Sequence, residues 1–268
     1  MQRKSSAIVL WVLMLTFIMG CSNGNTISVD GSTSVEKVIG ALGEMFEIQN
    51  KGVTFTFNPT GSGTGITAVA EGRCDIGVSS RSLTEEEKSK GLTETLLALD
   101  GIAVIVNLEN NINDLSLTDL AKIYKGEIKN WKEIGGNDGQ IVLIGREAGS
   151  GTRTGFEEVT QTKDLCDYRQ ELTSTGDIIT TVSGNPNAIG YASLASVKDN
   201  VKTVAVDGIE VSEETIKNGS YKIQRPYVVV TKTNKTLTPT VQRFFDYITS
   251  FDANEIISKQ GVVPVREK

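Results

Sequence analysis

The sequence of 268 residues contains no histidine and only three cysteines. A serine hydrolase, with Ser62 or Ser150 as its nucleophile, would need a general base beside the serine, and the usual base is histidine. The absence of histidine therefore argues against such an enzyme. It also argues against a metal site, because zinc is generally bound by histidine or clustered cysteine. Cys74 and Cys166 could pair in an exported protein, but Cys74 lies in an apolar run and is equally typical of a small buried residue.

Positive charge is scarce as well. The chain has 27 lysines and arginines against 33 acidic residues, which gives a formal charge of −6. Removing residues 1–20 takes away two cations and no acid, so the formal charge becomes −8. A net acidic body argues against a nucleic-acid partner, and any anion site must be built locally. The Gly-Lys-Ser/Thr ending of a P-loop and the spacing of the dinucleotide fingerprint are also absent.

Residues 1–20 have the form of a bacterial export signal. Arg3 and Lys4 precede an apolar run at 7–19, which is short for a membrane span. The run ends in Ile-Met-Gly-Cys, similar to a lipoprotein cleavage box in which Cys21 becomes the lipid-modified first residue. An ordinary secretory signal is the alternative. Either interpretation predicts export. With a lipid on Cys21, residues 21–25 form a short tether that holds the folded body at the outer face of the cytoplasmic membrane.

Serine, threonine and glycine are concentrated where predicted strands lead into predicted helices. This pattern occurs four times, at 26–39, 53–71, 74–87 and 141–159. In an open parallel α/β sheet, the loops at the carboxyl ends of the strands line the ligand crevice. Four such loops, with glycines that leave backbone amides accessible, predict a cage of hydrogen-bond donors.

The fourth loop, at 145–153, carries an unusual charge. Ser150 is a good N-terminal cap for the helix that follows. A helix start favours acidic residues, because its free N–H groups carry partial positive charge. Here Arg146 and Arg153 flank the start instead. This predicts that two cations, the Ser150 and Thr152 hydroxyls and backbone amides converge on one oxyanion. The plainer alternative is a capped helix with two solvated arginines.

Two long apolar segments, at 96–107 and 221–232, are suited to cross from one part of the fold to another. The chain length fits one large domain or two medium ones. The helical spacing of apolar residues predicts further helices at 117–124, 174–183, 239–249 and 254–259. A short extended tail is expected at 262–265.

Seven segments of the chain form an ordered set of motifs, at 31–34, 61–65, 75–81, 130–131, 146–153, 188–191 and 225–227. With this set, nearly all of the mature sequence resembles the substrate-binding lipoproteins of bacterial phosphate ABC transporters. The resemblance implies an α/β, two-lobed fold of the periplasmic-binding-protein type (type II). Lobe 1 would comprise 26–100 plus 228–268, and lobe 2 would comprise 101–227. It also implies a monomer without enzyme activity or cofactor, which captures inorganic phosphate in the interlobe cleft and delivers it to the permease subunits.

The resemblance further implies which residues bind phosphate. Arg146 would form an ion pair with it. Hydrogen bonds would come from the first two loops and from the helix start in lobe 2, with the third loop alongside. The implied set is Ser32, Thr33, Ser34, Ser62, Ser80, Arg81, Arg146, Ser150, Gly151 and Thr152.

The third loop departs from the family pattern. Family members often place an Asp at the position of Ser80, where it accepts a hydrogen bond from a protonated phosphate oxygen. Ser80 can still accept and Arg81 adds a charge, but the carboxylate that would repel sulfate is missing. The missing carboxylate leaves open a binding protein for sulfate, molybdate or tungstate. A separate alternative is a surface lipoprotein for adhesion or signalling, whose loops would be only helix caps.

Overall fold

The computed structural model describes residues 25–266, so the export signal and Cys21 lie outside the described residues. Strands and helices alternate along most of the chain. The strands are β1 Thr26–Gly31, β2 Thr54–Asn58, β3 Ile76–Ser79, β4 Leu92–Val106, β5 Asp114–Leu115, β6 Val142–Arg146, β7 Gln170–Leu172, β8 Ala188–Ser193, β9 Lys202–Val206, β10 Gln224–Lys232 and β11 Val263–Pro264. The helices are α1 Glu36–Gln49, α2 Ser62–Glu71, α3 Glu85–Ser89, α4 Leu117–Tyr124, α5 Gly151–Thr160, α6 Thr175–Ser183, α7 Glu213–Lys217, α8 Pro239–Ile248 and α9 Asn254–Lys259.

The first three strands form the parallel arrangement that their strand–loop–helix pattern predicts. β1 lies in the middle and pairs in parallel with both β2 and β3. Val38, Leu42 and Phe46 of α1 are buried at helical spacing, so this helix covers the sheet with one apolar face. Because the strands are parallel, the loops that follow them all leave from the same edge of the sheet.

β4 is one continuous strand of 15 residues that belongs to both halves of the sheet. Residues 92–101 pair antiparallel with β10, whereas residues 102–106 pair antiparallel with β8 and β9. The apolar run at 96–107 is therefore a crossing strand, as predicted, and β10 is the second crossing within 221–232. Beyond β8 the sheet continues in parallel with β6 and then β7.

Separate hydrophobic cores form on the two sides of these crossings. One side is packed around β1, α1 and α8 and includes Phe46 and Phe244. On the other side, alternate residues of β4 face opposite ways: Val104 packs toward α5, and Ile105 packs toward α6. This two-lobed α/β arrangement is the predicted fold class.

Both described cysteines are free. The possible Cys74–Cys166 disulfide is therefore not formed, and Cys74 is a buried residue just before β3. Burial raises the pKa of the Cys74 thiol to about 11. Within residues 25–266, no helix is both long and apolar enough to span a bilayer. The same residues contain no group of metal-ligating side chains.

Candidate functional site

The loops after β1, β2 and β3 bring their hydroxyl groups into contact with one another. Ser32 Oγ donates to Ser80 Oγ at 2.9 Å, and Ser62 Oγ lies 3.2 Å from Ser80 Oγ. The Ser80 backbone amide also donates to Ser62 Oγ at 3.1 Å. These three side chains are at most 3% exposed. Three loops that are distant in sequence thus form one buried polar cluster.

Helix α5 closes the cluster from the other half of the sheet. Ser34 Oγ lies 2.8 Å from Thr152 Oγ1, in the first turn of α5. Gly151 approaches more closely still. A Cβ at this position would lie 2.6 Å from Ser62 Oγ and 2.7 Å from Ser80 Oγ, so only glycine fits without displacing them. A backbone hydrogen bond of 3.0 Å from the Gly63 amide to the Gly149 carbonyl joins the same two segments.

The start of α5 leaves backbone donors available to a ligand. Ser150 caps the helix, and its Oγ accepts from the Arg153 amide at 3.3 Å. The amides of Gly151 and Thr152 belong to the first helical turn, whose N–H groups have no partner within the helix. The partial positive charge of the helix start is therefore directed at the hydroxyl cluster.

Arg146, the last residue of β6, is the buried cation of the site. It is 2% exposed, and its guanidinium donates to the Leu172 and Thr173 carbonyls and to Thr175 Oγ1. The ion pairs among residues 25–266 do not include Arg146. Burial lowers its pKa to about 10, with a contribution from the nearby Arg225, so it stays charged at neutral pH. A buried positive charge without a carboxylate partner is costly unless an anion compensates it.

Arg153 and Arg81 are placed differently from Arg146. Arg153 forms ion pairs with Glu157 at 2.7 Å and with Glu171 at 3.0 Å. The expectation that two cations converge on one oxyanion was therefore wrong for Arg153, because these acids already neutralise it. Arg81, implied as a phosphate ligand, donates both Nη atoms to Glu87 at 2.8 and 2.7 Å. Its hydrogen bonds do not lead into the hydroxyl cluster.

Thr175 belongs to the cluster although the sequence analysis did not select it. It is the first residue of α6, and its Oγ1 lies 3.0 Å from both Thr33 Oγ1 and Ser34 Oγ. The same oxygen accepts from Arg146 Nη1 at 3.2 Å. The signal was present, because the segment 173–176 reads Thr-Ser-Thr-Gly between a strand and a helix, like the other four loops.

These groups can hold a tetrahedral oxyanion. Hydroxyls rotate to donate toward an anion, backbone amides at the helix start donate directly, and one arginine supplies charge. A transition metal would find no suitable ligand, since the cluster consists of hydroxyls, amides and a guanidinium. The cluster comprises Ser32, Thr33, Ser34, Ser62, Ser80, Arg146, Ser150, Gly151, Thr152 and Thr175, and every one of them is buried.

Comparison with known proteins identifies the family. A family model described as a PBP superfamily domain matches residues 21–252. The phosphate-binding protein PstS of Borreliella burgdorferi is 30% identical over 278 residues, which cover 98% of this chain and 99% of the relative. The chain belongs to this family. PstS of Bacillus subtilis is also 30% identical, over 294 residues that cover 98% of this chain and 96% of the relative.

Solved PstS-like structures share the fold. A Clostridium perfringens protein, described as a phosphate ABC transporter substrate-binding protein with bound phosphate, aligns with a TM-score of 0.87 and 42% identity. That alignment covers 90% of this chain and 100% of the other. An ABC-type phosphate transport receptor from Vibrio cholerae aligns with a TM-score of 0.74 and 31% identity, over 89% of this chain and 100% of the other.

Proposed function

We propose that this PstS family member captures inorganic phosphate outside the cytoplasmic membrane and delivers it to the permease of an ABC transporter. The observation that carries the proposal is Arg146, a buried cation that has no carboxylate partner within residues 25–266 and contacts a cluster of serine and threonine hydroxyls. An oxyanion would neutralise the guanidinium and accept from the hydroxyls at once. The relatives named as phosphate-binding proteins support phosphate as that oxyanion.

The proposed lobes meet at this cluster. Lobe 1, at 26–100 plus 228–268, supplies the loops after β1, β2 and β3. Lobe 2, at 101–227, supplies β6, α5 and the start of α6. The contact between Ser34 and Thr152 at 2.8 Å thus joins the two lobes. We infer that closing the lobes completes the site, and that the permease recognises the closed form, whose population the ligand increases.

The upper limit on the binding free energy of so small a ligand favours its enclosure. Phosphate has few atoms, and at a ceiling of about −1.5 kcal/mol per heavy atom its binding energy reaches only about −7.5 kcal/mol, roughly micromolar affinity. Affinity of that order requires partners for nearly every phosphate oxygen. Groups from both lobes can supply them, whereas one open wall cannot. We propose the role of a binding protein and not of an enzyme, which the relatives named as phosphate-binding proteins support.

A thermal-shift titration of the mature chain from Ser22 onward, stripped of phosphate, tests the proposal. Phosphate, arsenate, sulfate and molybdate are added at pH 6 and pH 8. If the affinity is micromolar, 1 mM phosphate stabilises the protein by about 4 kcal/mol, a Tm rise of roughly 10 °C. Equal shifts with sulfate and phosphate would show that Ser80 has changed the selectivity. No shift with any oxyanion would overturn the proposal.

Two arginine variants test which arginine side chain binds the anion. Arg146→Met removes the unpaired cation, so the phosphate-induced Tm rise is expected to disappear. Arg153→Met, in the first turn of α5, is the matched control, because its charge is already neutralised by Glu157 and Glu171. It is expected to lower the Tm of the ligand-free protein while retaining the phosphate-induced rise. The reverse pattern would place the anion at Arg153.

A further inference from the structure

A chain of buried polar groups joins the hydroxyl cluster to the two crossing strands. The Tyr227 hydroxyl on β10 donates to the Ser34 carbonyl oxygen at 2.8 Å and lies 2.7 Å from Ser193 Oγ, at the end of β8. Ser193 Oγ donates to Asp100 Oδ1 on β4 at 2.9 Å. All four residues are 0% exposed. Hydrogen-bonded groups from β4, β8 and β10 and from the loop that carries Ser34 are therefore connected through buried residues alone.

Arg225 forms an ion pair with Asp100, at the end of this series of hydrogen-bonded groups. Its Nη2 and Nε donate to Asp100 Oδ2 at 2.9 and 3.2 Å, and the residue is 3% exposed. Burial raises the pKa of the Asp100 carboxyl, and the adjacent Arg225 guanidinium opposes that rise. Ser193 Oγ donates its single proton to Asp100 Oδ1.

The number of available hydroxyl protons determines which hydrogen bonds Tyr227 can form. Since the Ser193 proton is given to Asp100, the Ser193 oxygen can only accept from Tyr227, and it competes with the Ser34 carbonyl for the single Tyr227 proton. Tyr227 donates that proton to the Ser34 carbonyl oxygen at 2.8 Å. Tyr227 is the junction between the crossing strands and the loop that carries Ser34.

The backbone of Ser34 is held by hydrogen bonds, and its side-chain hydroxyl belongs to the cluster. Its carbonyl accepts from Tyr227, and its amide donates to Ser32 Oγ at 3.3 Å. Its hydroxyl lies 2.8 Å from Thr152 Oγ1 and 3.0 Å from Thr175 Oγ1, on the starts of α5 and α6. The orientation of the Ser34 peptide group therefore decides where this hydroxyl lies in the site.

We propose that Tyr227 is a positioning residue for oxyanion binding, which holds the Ser34 peptide group by donating its hydroxyl proton to the Ser34 carbonyl oxygen. The inference rests on the proposed function and deepens it. Affinity then depends on the strands that connect the lobes as well as on the groups that touch the ligand.

Tyr227→Phe tests this with a matched control, Tyr221→Phe. Tyr221 is also 0% exposed, and its hydroxyl donates to the Ile102 carbonyl at 2.9 Å, away from the Ser34 loop. Each variant removes one buried tyrosine–carbonyl hydrogen bond, so similar losses of Tm are expected. In calorimetric titration, Tyr227→Phe is expected to raise the Kd for phosphate about two- to tenfold, and Tyr221→Phe is expected to leave it unchanged.

Adding Ser193→Ala tests whether Ser193 affects the site through the Tyr227 hydroxyl. If it does, its removal from the Tyr227→Phe variant causes little further change of affinity, so the two effects are not additive. Additive effects, or equal increases in Kd for Tyr227→Phe and Tyr221→Phe, would overturn the inference.

Hydrogen exchange of the ligand-free protein gives a readout that does not need phosphate. The amides of Ser34 and Val35 both donate to Ser32, to its Oγ and to its carbonyl. They are expected to exchange faster in Tyr227→Phe than in Tyr221→Phe, and equal rates would overturn the inference. A wild-type chain that binds no phosphate would instead overturn the proposed function, while the exchange rates would still decide the role of Tyr227.

Discussion

Gly151 shows, at the scale of a single residue, how little space the site leaves. It is the first residue of α5, and it packs against Ser62 and Ser80 from the opposite half of the sheet. Gly149, two residues earlier, is exposed, and a Cβ there would have no neighbour within 4 Å. Of these two neighbouring glycines, close packing therefore requires Gly151 and does not require Gly149.

Gly151→Ala is expected to weaken phosphate binding strongly. The added methyl group would push Ser62 and Ser80 apart or hold α5 away, and overpacking of this kind costs about 1–3 kcal/mol, roughly five- to hundredfold in Kd. Calorimetric titration of the phosphate-stripped protein measures the effect. Gly149→Ala is the control and should bind like the wild type. Equal affinity in both variants would contradict the close approach.

At the scale of the element, helix α3 depends on its first turn. Thr84 and Glu87 form a capping box, with Thr84 Oγ1 accepting from the Glu87 amide at 3.2 Å and Glu87 accepting from the Thr84 amide at 2.8 Å. Arg81 also donates to the Glu87 carboxylate. The hydrogen bonds from Arg81 are the largest cause that lowers the pKa of Glu87 to about 2.

This depressed pKa predicts a pH dependence of stability. The folded-state pKa of Glu87 lies below its ordinary value of 4.5, so its contribution is fully present above the ordinary value and disappears as the pH falls through about 2. Glu87→Gln is therefore expected to lower the urea midpoint at pH 7, by an amount that decreases between pH 5 and pH 3. Glu86→Gln, an exposed residue of the same turn, is the control. A pH-independent difference would contradict the ion pair.

At the scale of the whole molecule, attachment of the protein to the membrane should depend on the segment that precedes β1. The folded body carries a formal charge of −8 once residues 1–20 are removed, so it has no general attraction to an anionic membrane surface. We infer that a lipid on Cys21 holds it there, because each buried CH₂ group of an acyl chain contributes about 0.8 kcal/mol.

Cys21→Ala is expected to move the protein from the membrane fraction to the soluble extracytoplasmic fraction. The change removes the atom that would carry the lipid and leaves the folded body intact. Fractionation followed by immunoblotting measures the distribution. Cys74→Ala, a buried cysteine of the folded body, is the control and should remain in the membrane fraction. If both variants stay with the membrane, an uncleaved or noncovalent anchor is present instead.

Short-range patterns were enough to predict most of the fold and much of the site. The helices at 117–124 and 254–259 were predicted with the bounds they have, because apolar spacing and caps are properties of neighbouring residues. The four loops rich in serine, threonine and glycine were found for the same reason. The parallel strands β1, β2 and β3 bring three of these loops to one edge, whereas β6 runs antiparallel to them, so the fourth loop reaches the cluster through the way the two halves of the sheet meet.

The sequence by itself thus determined the strand–loop–helix units, their donor-rich ends and the presence of an arginine before α5. Only the tertiary structure decided which arginine remains unpaired. Arg146 and Arg153 flank the same loop, but of these two Glu157 and Glu171 neutralise only Arg153. Likewise, Thr175 meets Ser34 across 141 positions, and Tyr227 meets it across 193. Such contacts depend on how distant elements pack, which no local pattern of residues encodes.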